Sequence, residues 1–175
     1  MTQPARWWIR LRVAEIGTEI GTEIGALRPI LIIGIGNTLR RDDGAGWFFA
    51  EALAAALEMA GRRVHLELHH QLTPEVAIEA AELQPAAVLC VDASVAVDEA
   101  TFTPLTESVT EASAGHSLTP AMLLALMRRL YAVDAPGWLV QTPAADFGHG
   151  EGLSELAQCG VQMAAALASR LNERL

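Results

Sequence analysis

The sequence predicts an α/β domain in which a mostly parallel sheet is covered by helices on both faces. Three observations predict it. From Ile30 onward, short apolar runs alternate with longer segments of helical periodicity, and strands that run parallel need such crossover helices between them. The first run, Ile30 to Ile33, is apolar throughout, as suits a strand buried on both faces. The chain has 175 residues, 51% of them hydrophobic, which is enough for one well-cored domain and too little for two typical ones.

The elements follow in order. Gly46 to Ala60 reads as a helix, with Phe49, Leu53 and Leu57 on one stripe and Gly61 as its stop. Val64, Leu66 and Leu68 alternate with His65, Glu67 and His69, a strand with one wetter face. Thr73 is expected to cap a helix running to about Leu83, with Pro74 in its first turn. Ala86 to Val91 reads as a short apolar strand ended by Asp92, and Thr101 to Leu105 as a short edge strand, since Pro104 removes a ladder donor. Thr119-Pro120 opens a helix through Met122, Leu123, Leu126 and Leu130. Trp138 to Val140 is the last strand, and Leu153 to Leu171 one closing helix with Ser154 as its cap.

Residues 1–29 read differently. Arginines sit among Trp7, Trp8 and Ile9, and an E-I-G-T repeat then runs from Glu15 to Gly25. A helix would align Ile16, Ile20 and Ile24, yet each intervening glycine costs about 1 kcal/mol relative to alanine. There is no continuous apolar core with a small-residue cleavage site, which argues against a secretory signal. The expectation is a poorly ordered or loosely docked leader over 1–29 and a single domain over 30–175. The alternative for the leader is a partner-binding amphipathic segment.

A net charge of −9 argues against nucleic acid or an anionic membrane as partner, since both need a basic footprint. Cys90 and Cys159 offer neither a disulfide framework nor a C-x-x-C metal site. Both are expected to be small buried hydrophobes, as in a reducing compartment. No apolar run approaches the roughly 20 residues of a membrane span. The expected setting is therefore soluble and cytoplasmic.

Function concentrates in Leu31 to Gly46, L-I-I-G-I-G-N-T-L-R-R-D-D-G-A-G. Here a buried strand runs into a glycine turn, where Asn37 favours local bonding to backbone, and then into two adjacent carboxylates at a helix start. A dinucleotide fingerprint fails, because its third glycine would fall at Leu39 and two acids would repel a pyrophosphate. A phosphate-binding Walker loop fails too, as the chain contains no lysine. In parallel α/β sheets ligands bind beyond the carboxyl ends of the strands. Three candidate ligands fall there: Asp43 after the first strand, Asp92 at the end of Ala86–Val91, and His116 ahead of the helix that Thr119 caps. Two carboxylates and an imidazole make an incomplete site for a divalent first-row cation.

The opening stretch resembles the motif of the hydrogenase maturation endopeptidase family, G-x-G-N-x-L-x-x-D-(D/E)-G-x-G, with every fixed position filled from Gly34 to Gly46. The resemblance covers roughly Ile30 to the final helix. It implies a three-layer sandwich, phosphorylase/hydrolase-like, around a twisted sheet of about five strands. It also implies that Asp43, Asp92 (in Val91-Asp92-Ala93) and His116 (in Gly115-His116-Ser117-Leu118) converge as metal ligands and catalytic residues. The implied activity is removal of a carboxy-terminal extension from the large-subunit precursor of a nickel–iron hydrogenase. Nickel would arrive inside that precursor rather than reside in the enzyme. Asp42 and the motif glycines are expected to shape the loop.

Two segments depart from the pattern. His69-His70 stands where relatives carry an acid and a glycine-rich turn, and at most one of two strand neighbours can face the site. Gln141 to Gly150 reads as a substrate-facing loop with His149 as a spare ligand or base. No G-x-S-x-G, H-E-x-x-H or Cys–His pair supplies a nucleophile. Hydrolysis is therefore expected to be metal-assisted, the cation polarising carbonyl or water, or else to use Asp43 or Asp92 as proton acceptor. The rival readings are a non-cleaving chaperone or nickel-loading checkpoint for the large subunit, and a hydrolase with a resident metal. Oligomeric state is open, with a monomer expected.

Overall fold

The computed structural model describes residues 28–106 and 118–175. Most of the leader, and the segment carrying His116, lie outside the described residues. Five strands form one sheet: β1 (Ile30–Ile35), β2 (Val64–His69), β3 (Ala87–Ser94), β4 (Thr101–Pro104) and β5 (Gly137–Pro143). Five α-helices surround it: α1 (Ala45–Met59), α2 (Glu75–Leu83), α3 (Pro120–Tyr131), α4 (Glu155–Gln162) and α5 (Ala164–Asn172). The strand order is β2-β1-β3-β5-β4, parallel except for β4, which runs antiparallel to β5 at the edge.

Strand alternation divides the apolar residues between two cores. Ile30, Ile32, Leu89, Val91 and Val140 pack with Phe49, Leu53 and Leu57 of α1 and with Leu167 and Leu171 of α5. Leu31, Ile33, Val88 and Cys90 pack on the other face with Val76 and Ala80 of α2 and with Leu123 and Met127 of α3. The expected three-layer α/β architecture is thus the one observed. Phe49 is completely buried, so truncating it to alanine would cost about 3–5 kcal/mol.

The chain leaves β1 towards β2 and then crosses back to place β3 on the other side of β1. The order reverses between β1 and β3, which opens a crevice at their carboxyl ends. Among the described residues, no helix is long and apolar enough to cross a membrane.

Several local expectations are corrected. β3 runs on to Ser94, so Asp92 lies within the strand, in register with Gln141 of β5. The closing segment is two helices, not one. Gly160 lies so close to β5 that a Cβ would fall 2.7 Å from Thr142 Oγ1 and Pro143 Cδ. The Met163 N–H then donates to Gly160 O at 3.0 Å, a tightened turn that redirects the chain into α5. Thr73 does not cap α2: Pro74 holds the cap position without a side-chain bond, and the Thr73 hydroxyl bonds the Glu75 carboxylate instead, holding that group below its ordinary pKa. Cys159 is exposed on α4, while Cys90 is buried as expected. Thr119 and Ser154 do cap their helices, accepting from Met122 and Ala157 N–H groups.

Candidate functional site

The opening loop is built by close backbone approach. Gly36 has φ +144°, and a Cβ there would fall 1.9 Å from Asp43 O. Asn37 Oδ1 accepts the Leu39 N–H at 2.9 Å, and Asn37 O accepts the Arg40 N–H at 2.9 Å, the local turn bonding expected of asparagine. A short 3-10 turn, Arg41–Gly44, then carries both acids into α1. Gly46, in the first turn of α1, would place a Cβ 2.2 Å from Ile35 O and 3.2 Å from Asp92 Cα. Only a residue without a side chain lets the start of α1 press against β1 and β3 here.

The two acids of the motif have different surroundings. Asp42 is 0% exposed. Its Oδ2 accepts the N–H groups of Ala145 (2.8 Å) and Asp146 (2.9 Å) and the Ser154 hydroxyl (2.6 Å), and its Oδ1 accepts the Ser154 N–H (2.6 Å). Burial alone would raise its pKa, but these hydrogen bonds outweigh it and hold the carboxyl below its ordinary value. Asp42 is therefore the structural tie that its place in the motif suggested. Its partners all come from the 145–154 segment, which no local sequence signal connects to it.

Asp43 is half-buried and sits beside Asp92. Burial pushes the Asp92 carboxyl up to about 6; the Ala93 N–H, bonded to Oδ1 at 2.9 Å, opposes that rise, and the charge of Asp43 adds to it. Asp43 follows β1 and Asp92 lies in β3, so the pair occupies the crevice where the strand order reverses. A carboxylate whose ionisation is disfavoured by burial and by a neighbouring carboxylate suits a cation, or a shared proton, beside it. His116, the third candidate, lies outside the described residues; the chain resumes at Leu118, packed against the second core, just before the Thr119 cap of α3.

The remaining candidates fall to either side. His70 Nδ1 lies 3.2 Å from Gly36 O, and the ring is 5.0 Å from that of Trp47, so His70 braces the opening loop. His69 points the other way, its Nε2 3.0 Å from Glu67 Oε2. The Gln141 to Gly150 segment clamps the opening loop rather than standing apart from it. Gly150 N–H donates to Leu39 O and Gly150 O accepts from Arg41 N–H, both at 2.9 Å. Exposed His149 lies on that clamp. Leu39, a fixed residue of the motif, is 61% exposed.

No protein-family model matches this chain, and no curated protein does so either. Solved structures are similar to it. The NiFe hydrogenase maturation protease HycI from Thermococcus kodakarensis KOD1 is 26% identical, with a TM-score of 0.61, over 83% of this chain and 91% of that one. HybD from Thermococcus kodakarensis, also a NiFe hydrogenase maturation protease, is 23% identical with a TM-score of 0.53, over 82% and 98%. The endopeptidase HycI from Escherichia coli is 20% identical with a TM-score of 0.53, over 82% and 88%. Motif, fold and similarity agree: the chain is similar to NiFe hydrogenase maturation proteases in its fold and in its opening motif.

Proposed function

We propose that this protein is an endopeptidase that removes the carboxy-terminal extension of a nickel-loaded NiFe-hydrogenase large-subunit precursor, acting as a cytoplasmic monomer. The observation that carries this reading is the placement of Asp43 and Asp92 as electrostatic neighbours at the β1/β3 crevice. In this reading Asp43, Asp92 and His116 take the nickel that the precursor carries, so recognition of a metal-loaded substrate and alignment of its scissile bond are one event. The substrate's cation polarises the carbonyl or a water. Asp92, its pKa raised to about 6 mainly by burial, is suited to accept a proton when it is not bound to metal. Exposed Leu39, anchored through its backbone to Asn37 and Gly150, offers the precursor an apolar contact at the rim.

Mass spectrometry of a co-expressed large-subunit precursor tests this. The protein should trim nickel-loaded precursor and leave nickel-free precursor intact. Single substitutions Asp43→Ala, Asp92→Ala and His116→Ala should each abolish trimming. Normal cleavage by all three variants overturns the assignment, and an uncut precursor held in a stable complex by the native protein supports a non-cleaving escort instead.

A further inference from the structure

β2 carries a second constellation that the peptidase reading does not use. His65, Glu67 and His69 alternate along this edge strand and so share one face, the face covered by α2. Glu79 of α2 reaches the same place: one ligand atom each from Glu67, His69 and Glu79 lie within 4.8 Å of one another. His69 Nε2 is 3.0 Å from Glu67 Oε2, and His65 Nε2 is 3.3 Å from Glu67 Oε1. The Glu67 side chain is only 10% exposed, and its Oε1 is buried without a hydrogen bond. A buried carboxylate oxygen that has only the 3.3 Å approach of the His65 ring, and no hydrogen bond, is costly. A second carboxylate, Glu79, aimed at the first adds to the cost.

We propose that Glu67, His69 and Glu79 form a second divalent-cation site, with zinc as its occupant and His65 at its margin. The donor set is borderline, one imidazole nitrogen and two carboxylate oxygens, as zinc takes when three protein ligands leave a fourth position open. Tetrahedral ligands at about 2.1 Å from zinc sit about 3.4 Å apart, a closure within reach of side-chain rotation because Glu79 is exposed and free to adjust. The site shares no residue with the Asp43–Asp92 pair but is joined to the opening loop through backbone. His69 O accepts the Gly36 N–H and the Trp47 Nε1–H, both at 3.0 Å. Zinc on the His69 ring stiffens the strand end from which the motif loop hangs. Its role is therefore structural support, with no step of peptide hydrolysis routed through it.

The test uses the full chain with Asp43→Asn and Asp92→Asn, which removes the first site and so separates this proposal from the peptidase reading. After treatment with a chelator, zinc chloride is titrated calorimetrically near pH 7, and thermal melts are recorded with and without zinc. One zinc per chain should bind and raise Tm. Adding Glu79→Gln or His69→Ala should weaken binding about tenfold or more, since loss of even an outer-shell partner does as much, and should abolish the shift in Tm. Glu79 is exposed, so Glu79→Gln keeps the fold, which circular dichroism verifies. Absence of zinc binding, or binding that either substitution leaves unchanged, overturns the proposal.

Discussion

Ser154 donates to Asp42 twice, from its N–H to Oδ1 and from its hydroxyl to Oδ2, each at 2.6 Å, while the same hydroxyl oxygen accepts the Ala157 N–H and caps α4. One side chain thereby ends the motif loop's search for donors and starts the last part of the fold.

Replacing Asp42 by alanine leaves three part-buried backbone N–H groups and the Ser154 hydroxyl without their acceptor, and should cost about 2 kcal/mol or more, measured as a lower midpoint in urea. The sign of its pH dependence follows from the depressed pKa. Such a carboxylate contributes stability above its ordinary value of 3.8, and that contribution is lost as pH falls through the folded-state value. The stabilities of the native protein and Asp42→Asn should therefore converge in acid below about pH 4. Curves that stay parallel there would contradict the role of Asp42.

Asp92 has the opposite sign. Its folded pKa of about 6 lies above the ordinary 3.8, so the folded state binds the extra proton and loses stability as pH rises between those values. Asp92→Asn should flatten the stability profile across that window. Asp43→Asn should lower the Asp92 midpoint in a carboxyl NMR titration, since one of the causes of its rise is removed. An unmoved midpoint would show that the two acids do not sense each other.

Gly36 and Gly46 are held by contact with backbone, which has no rotamer to yield. A methyl group added at Gly36 would meet Asp43 O at 1.9 Å, and one added at Gly46 would meet Ile35 O at 2.2 Å. Gly36→Ala and Gly46→Ala should each destabilise the protein by about 3 kcal/mol or more, read as a fall in Tm. Gly61→Ala is the control, because nothing lies within 4 Å of its added Cβ and only its φ of +83° is strained.

Leu39→Ser should leave Tm within a degree or two of the native value, since surface changes of this kind shift stability by about 0.5 kcal/mol at most and the side chain is exposed. Trimming of the precursor should nevertheless slow. Unchanged trimming would remove Leu39 from the substrate-binding rim.

Much of this was legible because periodicity reports burial. The unbroken apolar run Ile30–Ile33 marks a strand covered on both faces, and the interval of Phe49, Leu53 and Leu57 marks the face of α1 that packs on it. The motif marked the loop for the same reason its glycines are needed, close approach of backbone to Asp43 and Ile35. Long-range choices left no local trace. Nothing near Asp42 signals donors at 145–154, nothing near Gly160 announces that β5 will crowd it and break the closing helix, and the H-x-E-x-H alternation on β2 shows a polar face without showing that Glu79 meets it. Cys159 followed its helical setting in the sequence, but its position on α4 points away from both cores.

The tie between Asp42 and Ser154 also orders events in time. β1 and the carboxylates emerge early from the ribosome, yet the donors that neutralise Asp42's isolation are synthesised more than a hundred residues later. A nascent chain can assemble β1, β2 and β3 while the motif loop is still unanchored. The geometry of that loop is therefore completed only when the last helices arrive.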